Sequence, residues 1–159
     1  KASGADANGR HGEDHTPESH LIPLVLQVPL SQRNKIMVFG EDYPTPDGTC
    51  IRDYVHTHDL ASAHLLAIEA TEVGTDEVFN IGTGIGQSVM QIIEACERVA
   101  GQSIAREVVA RRPGDPPKWV ADPTKIKTKL GWEPQYTDID ANIATAWAWR
   151  WASVCCNKR

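Results

Sequence analysis

The chain has few cysteines and no long apolar run. Its four cysteines are Cys50, Cys96, Cys155 and Cys156, and none of them belongs to a Cys-x-x-Cys pair. This pattern argues against a disulfide framework and a zinc–thiolate site, and it favours the reducing cytosol. No apolar stretch approaches the roughly 18 residues of a membrane span, and the polar start lacks the apolar centre of a secretory signal. We therefore expect a cytoplasmic protein with no membrane partner.

The chain also lacks an excess of positive charge. It has 16 basic and 21 acidic residues, which gives a net charge of −5 with neutral histidine. This balance argues against a nucleic-acid partner. Apolar residues make up 41% and charged residues 23% of the 159 positions, as in ordinary globular proteins. Taken alone, this length predicts one domain that buries about two thirds of its surface.

Complete catalytic motifs are missing as well. None of the three tyrosines, Tyr43, Tyr54 and Tyr136, is followed four residues later by lysine. The chain contains neither the Gly-x-Ser-x-Gly turn of serine hydrolases nor a P-loop. We therefore predict that no catalytic residue lies in this chain.

The glycine-rich segment Gly82–Gly86 lies between a predicted strand and a predicted helix, as dinucleotide-binding loops do. It reads Gly-x-Gly-x-Gly, so its third glycine comes one residue too early for the dinucleotide fingerprint. No acidic residue closes a clear second strand about twenty positions later. We favour a tight strand-to-helix turn over a cofactor-binding loop.

Six histidines raise the question of a metal. The closest pair is His56 and His58, which would face the same side of a strand. A zinc site needs three or four ligands, and no further ligand is forced near this pair by the sequence. Ordinary polar or helix-capping roles are favoured, and we predict no metal site.

Hydrophobic periodicity and turn signals predict an α/β fold with alternating elements. A helix interrupted by Pro23 and Pro29 is expected within residues 17–32. The Ser88 and Gln91 pair has capping-box spacing, and Gly101 is placed to end that helix. The other predicted elements are strands at Ile36–Phe39, Cys50–Val55, Val78–Ile81 and Ile104–Val109, a helix over 59–72 capped by Asp59, a short helix after the Asp122 cap ending at Gly131, and a last helix opening at Thr137.

An arginine-rich loop suggests an anion site. Arg111 and Arg112 precede Asp115 in a proline-rich segment, and Arg52 could supply a third cation. The planar guanidinium group suits phosphate because it forms two parallel, charge-assisted hydrogen bonds. Prolines restrict the loop before binding and so lower the cost of ordering it. For an isolated arginine pair, a solvated surface role is the alternative.

Four segments together resemble one family. They are GADANGRHGEDHTPESHLIPLVLQ, IMVFGEDYPTPDGTCIRDYVHTHDLASAH, VFNIGTGIGQSV and RRPGDPPKWVAD. They are similar to the C-terminal half of the UDP-glucose 4-epimerases, a family of extended short-chain dehydrogenases/reductases that hold NAD. The resemblance covers about residues 3–151.

The resemblance implies a UDP-sugar site. It places His20 and Leu21 near the diphosphate and ribose, and Met37 and Phe39 at the uracil pocket. It assigns Arg52 and Arg112 to the diphosphate and Asp115 to a ribose hydroxyl. Trp119 stands where family members often carry an aromatic or aliphatic residue near the sugar.

The resemblance also implies an incomplete enzyme. Residues 1–151 would form the UDP-sugar-binding C-terminal half, with remnants of a Rossmann sheet, and residues 152–159 an unassigned tail. The family's NAD-binding loop and its Tyr-x-x-x-Lys motif would belong to a missing N-terminal part, so no residue here is expected to bind NAD. The parent reaction interconverts UDP-glucose and UDP-galactose through a 4-keto intermediate, and the parent enzyme is commonly a homodimer. Two alternatives stay open: a non-catalytic nucleotide-sugar-binding module, and part of a related nucleotide-sugar dehydratase or decarboxylase.

Overall fold

The protein, analysed as a computed structural model, is described for residues 1–74 and 76–156, with backbone only for Cys155 and Cys156. Helices and short strands alternate along most of its length, which confirms the α/β class. The strands are β1 (Ala2–Ser3), β2 (Ile36–Phe39), β3 (Ile51–Asp53), β4 (Val55–His56), β5 (Gly86–Ser88), β6 (Arg106–Val109) and β7 (Lys118–Trp119). The helices are α1 (Leu21–Leu26), α2 (Thr57–Glu69), α3 (Val89–Ala100), α4 (Thr124–Leu130) and α5 (Ile139–Cys156).

The strands form three small sheets. β1 pairs in parallel with β4, and β2 pairs in parallel with β6. The third sheet has the order β5–β3–β7, in which β3 is antiparallel to β5 and parallel to β7. Arg52 on β3 lies opposite Trp119 on β7. This register brings the arginine next to the proline-rich loop that precedes β7.

The main core lies between α1, α3, α5 and β2. Its side chains are fully or almost fully buried and include Val25, Val38, Ile92, Ile93 and Ile143. A second, smaller core joins α2 to α4 and the segment after it, through Ala63, Ile126 and Trp132. Among the described helices, none combines the length and apolar character needed to cross a bilayer.

Helix α3 has both of its predicted ends. The Ser88 hydroxyl accepts a hydrogen bond from the Gln91 N–H, and the Gln91 side chain accepts one from the Ser88 N–H. Gly101 follows the helix in the left-handed conformation, with φ +71°. Two otherwise unpaired N–H groups are thus satisfied at the start, and glycine avoids the steric cost of positive φ at the end.

The proline-containing helix is shorter than residues 17–32. It runs from Leu21 to Leu26, so Pro23 lies in its first turn, where its missing N–H has no helical partner to lose. Pro29 lies beyond the helix. The two prolines therefore limit α1 to six residues, as a broken helix.

The predicted strand Val78–Ile81 is wrong, because these residues have no strand conformation. Phe79 and Ile81 pack against the second core, whereas Val78 is 74% exposed. A strand requires a hydrogen-bonded neighbour, and none of the described residues supplies one here. On α2, Leu65 and Ile68 are exposed as well.

Two predicted helix caps also differ from the structure. Helix α2 begins at Thr57, where His56 Nδ1 accepts from the His58 N–H at 3.0 Å. Asp59 is instead buried and accepts from the N–H groups of Gln135 and Tyr136, 76 and 77 residues away. Helix α4 begins at Thr124, one residue later than expected, although the Asp122 carboxylate still accepts from the Thr124 N–H.

Three other boundaries shift. The predicted strand Cys50–Val55 is divided at Tyr54 into β3 and β4, and Ile104–Val109 narrows to β6. The last helix begins at Ile139 rather than Thr137 and runs without interruption through Trp151 to Cys156. No break in the helix therefore marks the predicted boundary between residues 1–151 and the tail, and this boundary stays a prediction.

Candidate nucleotide-sugar site

A cavity of about 170 Å³ lies where β2, β3 and the start of α1 meet the proline-rich loop. Seven of the eight predicted site residues line it: His20, Leu21, Met37, Phe39, Arg52, Arg112 and Asp115. These residues come from four separate segments, so the fold brings together what the sequence separates. Their binding roles stay predictions.

One wall of the cavity is apolar. Along β2, Ile36 and Val38 are buried in the core, so Met37 and Phe39 face the opposite side, towards the cavity. The Arg112 guanidinium carbon lies 4.1 Å from the centre of the Phe39 ring, within cation–π distance. The apolar wall is thus bordered by a positive charge.

Arg52 forms the fixed cationic part of the cavity. Its side chain is only 11% exposed, and Nη1 donates to the carbonyls of Ile51 and Pro116, both at 2.8 Å. Nη2 lies 3.5 Å from Asp115 Oδ1. The parallel pairing of β3 with β7 places the Pro116 carbonyl within reach of Arg52. These contacts hold the guanidinium in one orientation and leave donor capacity for an anion.

The two neighbouring arginines diverge. Arg112 lines the cavity, 3.6 Å from Asp115 Oδ2. Arg111 turns towards Asp42, with 2.6 Å between Nε and Oδ1, and lies over the Tyr43 ring. The hydrogen bond from Arg111 holds the pKa of Asp42 below its ordinary value. Only one arginine of the pair is therefore available to this cavity.

Trp119 pairs with Arg52 across β3 and β7 but does not line this cavity. It is 70% exposed and lines an open groove of about 580 Å³, together with Lys1, Arg52 and Asp122. Lys1 and Arg52 border both the cavity and this groove.

Sequence reasoning missed several cavity residues, including Lys1, Ser19, Cys50, Tyr54 and Val89. They come from different segments and carry no shared motif, although Cys50 and Tyr54 lie with Arg52 in the predicted strand Cys50–Val55. Burial raises the pKa of Tyr54 far above its ordinary value. Its phenol is therefore harder to ionise than that of a solvent-exposed tyrosine.

The glycine-rich segment is a tight turn held by one carboxylate. Asp53 Oδ1 accepts from the Thr83 N–H at 3.1 Å and from the Thr83 hydroxyl at 2.7 Å, and Oδ2 accepts from the Gly84 N–H at 3.0 Å. A Cβ on Gly82 would lie 2.4 Å from the Ala121 methyl and 2.6 Å from Asp53 Oδ2. Because its N–H groups already bind Asp53, the turn has few donors left for a pyrophosphate.

The closest histidine pair has no shared ligand function in this geometry. His56 caps α2, is buried, and stacks on Tyr136 with 3.8 Å between ring centres. Its Nε2 lies 3.0 Å from the Thr145 hydroxyl. Both ring nitrogens of His56 are therefore occupied by the fold, as the capping alternative expected.

Comparison with known proteins identifies the family. The family model described as GDP-mannose 4,6 dehydratase matches residues 6–143. The chain belongs to this family. It is 52% identical over 149 residues to UDP-glucose 4-epimerase of Halalkalibacterium halodurans, covering 93% of this chain and 45% of that protein. The enzyme of the same name from Streptococcus mutans is 52% identical over 148 residues, with 92% and 44% covered.

Solved structures agree with this similarity. A UDP-glucose 4-epimerase crystal structure superposes with a TM-score of 0.90 at 51% identity, covering 95% of this chain and 46% of that one. The Bifidobacterium longum enzyme in complex with NAD⁺ and UDP gives 0.90 at 38% identity, with 95% and 45% covered. The resemblance to the C-terminal part of UDP-glucose 4-epimerase is thus confirmed. The chain spans about 45% of the length of the curated relatives it matches.

Proposed function

We propose that this chain forms the UDP-sugar-binding part of a UDP-glucose 4-epimerase. The observation that carries the proposal is the cavity in which Arg52 and Arg112 flank Asp115 beside the apolar wall of Met37 and Phe39. One side of such a cavity suits a flat base, and the other suits two phosphates. A relative with 38% identity binds UDP.

Each chemical part of a nucleotide sugar has a candidate partner. The apolar wall takes the uracil ring, and the two arginines take the diphosphate through charge-assisted hydrogen bonds. Asp115, already oriented by both arginines, accepts from a ribose hydroxyl. His20 and Leu21 stand at the beginning of α1, on the diphosphate side of the cavity.

The sugar extends out of the cavity. At about 170 Å³ the cavity is smaller than typical ligand sites of about 300–1,000 Å³, so it holds only part of a UDP-sugar. Arg52 connects it to the open groove with Lys1 and Trp119. We place the hexose in that groove, where the exposed indole of Trp119 would contact it.

The described residues do not fit the pyrophosphate of NAD. Among them, the glycine-rich turn is most similar to a dinucleotide-binding loop, but its N–H groups already donate to Asp53. We therefore derive no step through the cofactor, and we expect the 159-residue chain alone to show no epimerisation. Incubation with UDP-galactose and NAD, followed by detection of UDP-glucose, checks this, and turnover by the purified chain would contradict it.

In an epimerase of the relatives' length, the remaining part would supply the cofactor and the catalytic groups. The apolar side chains Leu65, Ile68 and Val78 are exposed here and are candidates for contacts with such a part. This arrangement also explains why Val78–Ile81 has a strand-like sequence without strand pairing. Its partner strands would come from the remaining part.

The paired arginines provide a matched test of the site. Arg112→Ala should weaken UDP binding about tenfold, because it removes charge-assisted hydrogen bonds from a partly exposed site. Arg111→Ala, one residue away and paired with Asp42, should leave UDP affinity unchanged. Isothermal titration with UDP measures both variants, and equal losses in the two would refute the assignment.

The alternatives are separated by further measurements. A stand-alone binding module is favoured over an epimerase part if UDP raises a cooperative melting transition and no second chain ever restores turnover. A dehydratase part is favoured if GDP-mannose binds more tightly than UDP-glucose. Tighter binding of UDP-glucose supports the epimerase.

A further inference from the structure

A cluster of histidines and glutamates lies in the loop before α1. Glu13, His15, Glu18 and His20 each offer one ligand atom, and these atoms lie within 4.8 Å of one another. Glu13 Oε1 lies 3.0 Å from His15 Nδ1 and 2.5 Å from His20 Nδ1. The two imidazole rings are 5.1 Å apart. The shared carboxylate oxygen thus joins two histidines that are five residues apart.

The loop that carries this cluster is anchored to the fold. Glu18 is only 5% exposed, and its Oε2 accepts from Arg150 at 2.9 Å. Its Oε1 accepts from the N–H groups of Ser19 and His20, both at 2.9 Å, and lies 3.2 Å from His20 Nδ1. Because the Glu18 carboxylate is occupied by these donors, it positions the loop. Glu13, His15 and His20 remain as ligands, and a metal would replace the hydrogen bonds that the two histidines make to Glu13 and Glu18.

We propose that Glu13, His15 and His20 form a binding site for a divalent transition metal, Zn²⁺ above all. Two imidazole nitrogens and one carboxylate form a three-ligand set that zinc uses in proteins, with a fourth position open to water. In a tetrahedral site with bonds of about 2.0 Å, neighbouring ligand atoms are about 3.3 Å apart. Small side-chain rotations would widen the observed distances of 2.5 and 3.0 Å to this spacing.

The charge of the cluster favours a cation. Two carboxylates face one arginine, so with neutral histidines the group carries one excess negative charge. Magnesium and calcium prefer oxygen ligands, whereas imidazole selects zinc and its neighbours. The proposal revises the sequence prediction of no metal site. It does not depend on the proposed nucleotide site, although His20 borders both.

Direct zinc binding tests the proposal. Titration of the apo chain with ZnCl₂ at neutral pH, followed by calorimetry, should show one equivalent bound. His15→Gln should lower that affinity at least about 10–100-fold, since it removes a ligand. His64→Gln is the matched control, because His64 is also exposed but lies on α2 and contacts the Leu60 carbonyl. The control should bind zinc as the unaltered chain does.

Two further variants keep the result specific. His15 is 56% exposed, so its replacement should leave the circular dichroism and Tm of the apo chain unchanged. Glu13→Gln should also reduce zinc affinity. The double variant Cys155→Ser and Cys156→Ser removes adjacent thiols that could bind zinc, and it should retain the equivalent. Unchanged zinc affinity in His15→Gln, or loss of the equivalent with the two cysteines, would overturn the proposal.

Discussion

Replacement of Asp53 by asparagine tests whether the glycine-rich segment is a structural turn. Asp53 is almost fully buried, and its two oxygens accept three hydrogen bonds from Thr83 and Gly84. An asparagine oxygen can keep the two bonds from Thr83. Its amide group would then face the Gly84 N–H, so two donors would oppose each other at 3.0 Å.

The expected cost follows from these contacts. An unsatisfied donor costs about 1–3 kcal/mol, and the loss of charge weakens the two remaining bonds by about 1 kcal/mol together. The sum is about 2–4 kcal/mol, which corresponds to a Tm lower by about 5–15 °C for a chain of this size. Thermal unfolding followed by circular dichroism measures this shift. Asp122→Asn is the control, because its carboxylate accepts from Thr124 on the surface and its loss should cost no more than about 1 kcal/mol.

Ligand binding provides the second half of the test. At a temperature where Asp53→Asn is folded, its affinity for UDP should equal that of the unaltered chain. An unchanged Tm together with lost UDP binding would show instead that the turn binds the nucleotide directly.

Two other predictions concern the fold that supports the site. Burial lowers the pKa of His56, so the unfolded chain takes up its proton first, and stability should fall as the pH drops below about 6.5. His56→Asn should therefore reduce the pH dependence of the free energy of unfolding in urea between about pH 5 and 7. An unchanged pH dependence in this variant would contradict the prediction. Trp132→Phe removes the indole N–H that donates to the Asp59 carbonyl and the Ser62 hydroxyl, at 3.2 and 3.1 Å. The free energy of unfolding in urea should fall by about 1–3 kcal/mol. An equal loss in Trp119→Phe, which changes an exposed tryptophan, would contradict the role of the buried indole.

Local sequence signals predicted those features whose causes are local. The Ser88 and Gln91 box depends on residues three apart, so it is readable from spacing. The β2 strand is also a local signal, whereas the assignment of Met37 and Phe39 to a binding pocket came from the resemblance. The resemblance predicted that seven separated residues belong to one site, which hydrophobic periodicity alone does not show.

Features that depend on distant partners were not predicted. Val78–Ile81 lacks a neighbouring strand among the described residues, and Asp59 serves Gln135 and Tyr136 rather than its own helix. The divergence of Arg111 from Arg112 depends on Asp42, about 70 residues earlier. The histidine–glutamate cluster depends on the path of an irregular loop, which residue spacing does not describe.

The contact between Glu18 and Arg150 spans 132 residues, and the bond from the Ala5 N–H to the Thr145 hydroxyl spans 140. During synthesis, the ribosome therefore makes this wall of the cavity 132 residues before its anchor. The loop before α1 can form these contacts only after α5 has left the ribosomal exit tunnel and packed against the core. A stop codon just before Arg150 would spare every residue of the cavity and still remove the ion pair that holds Glu18.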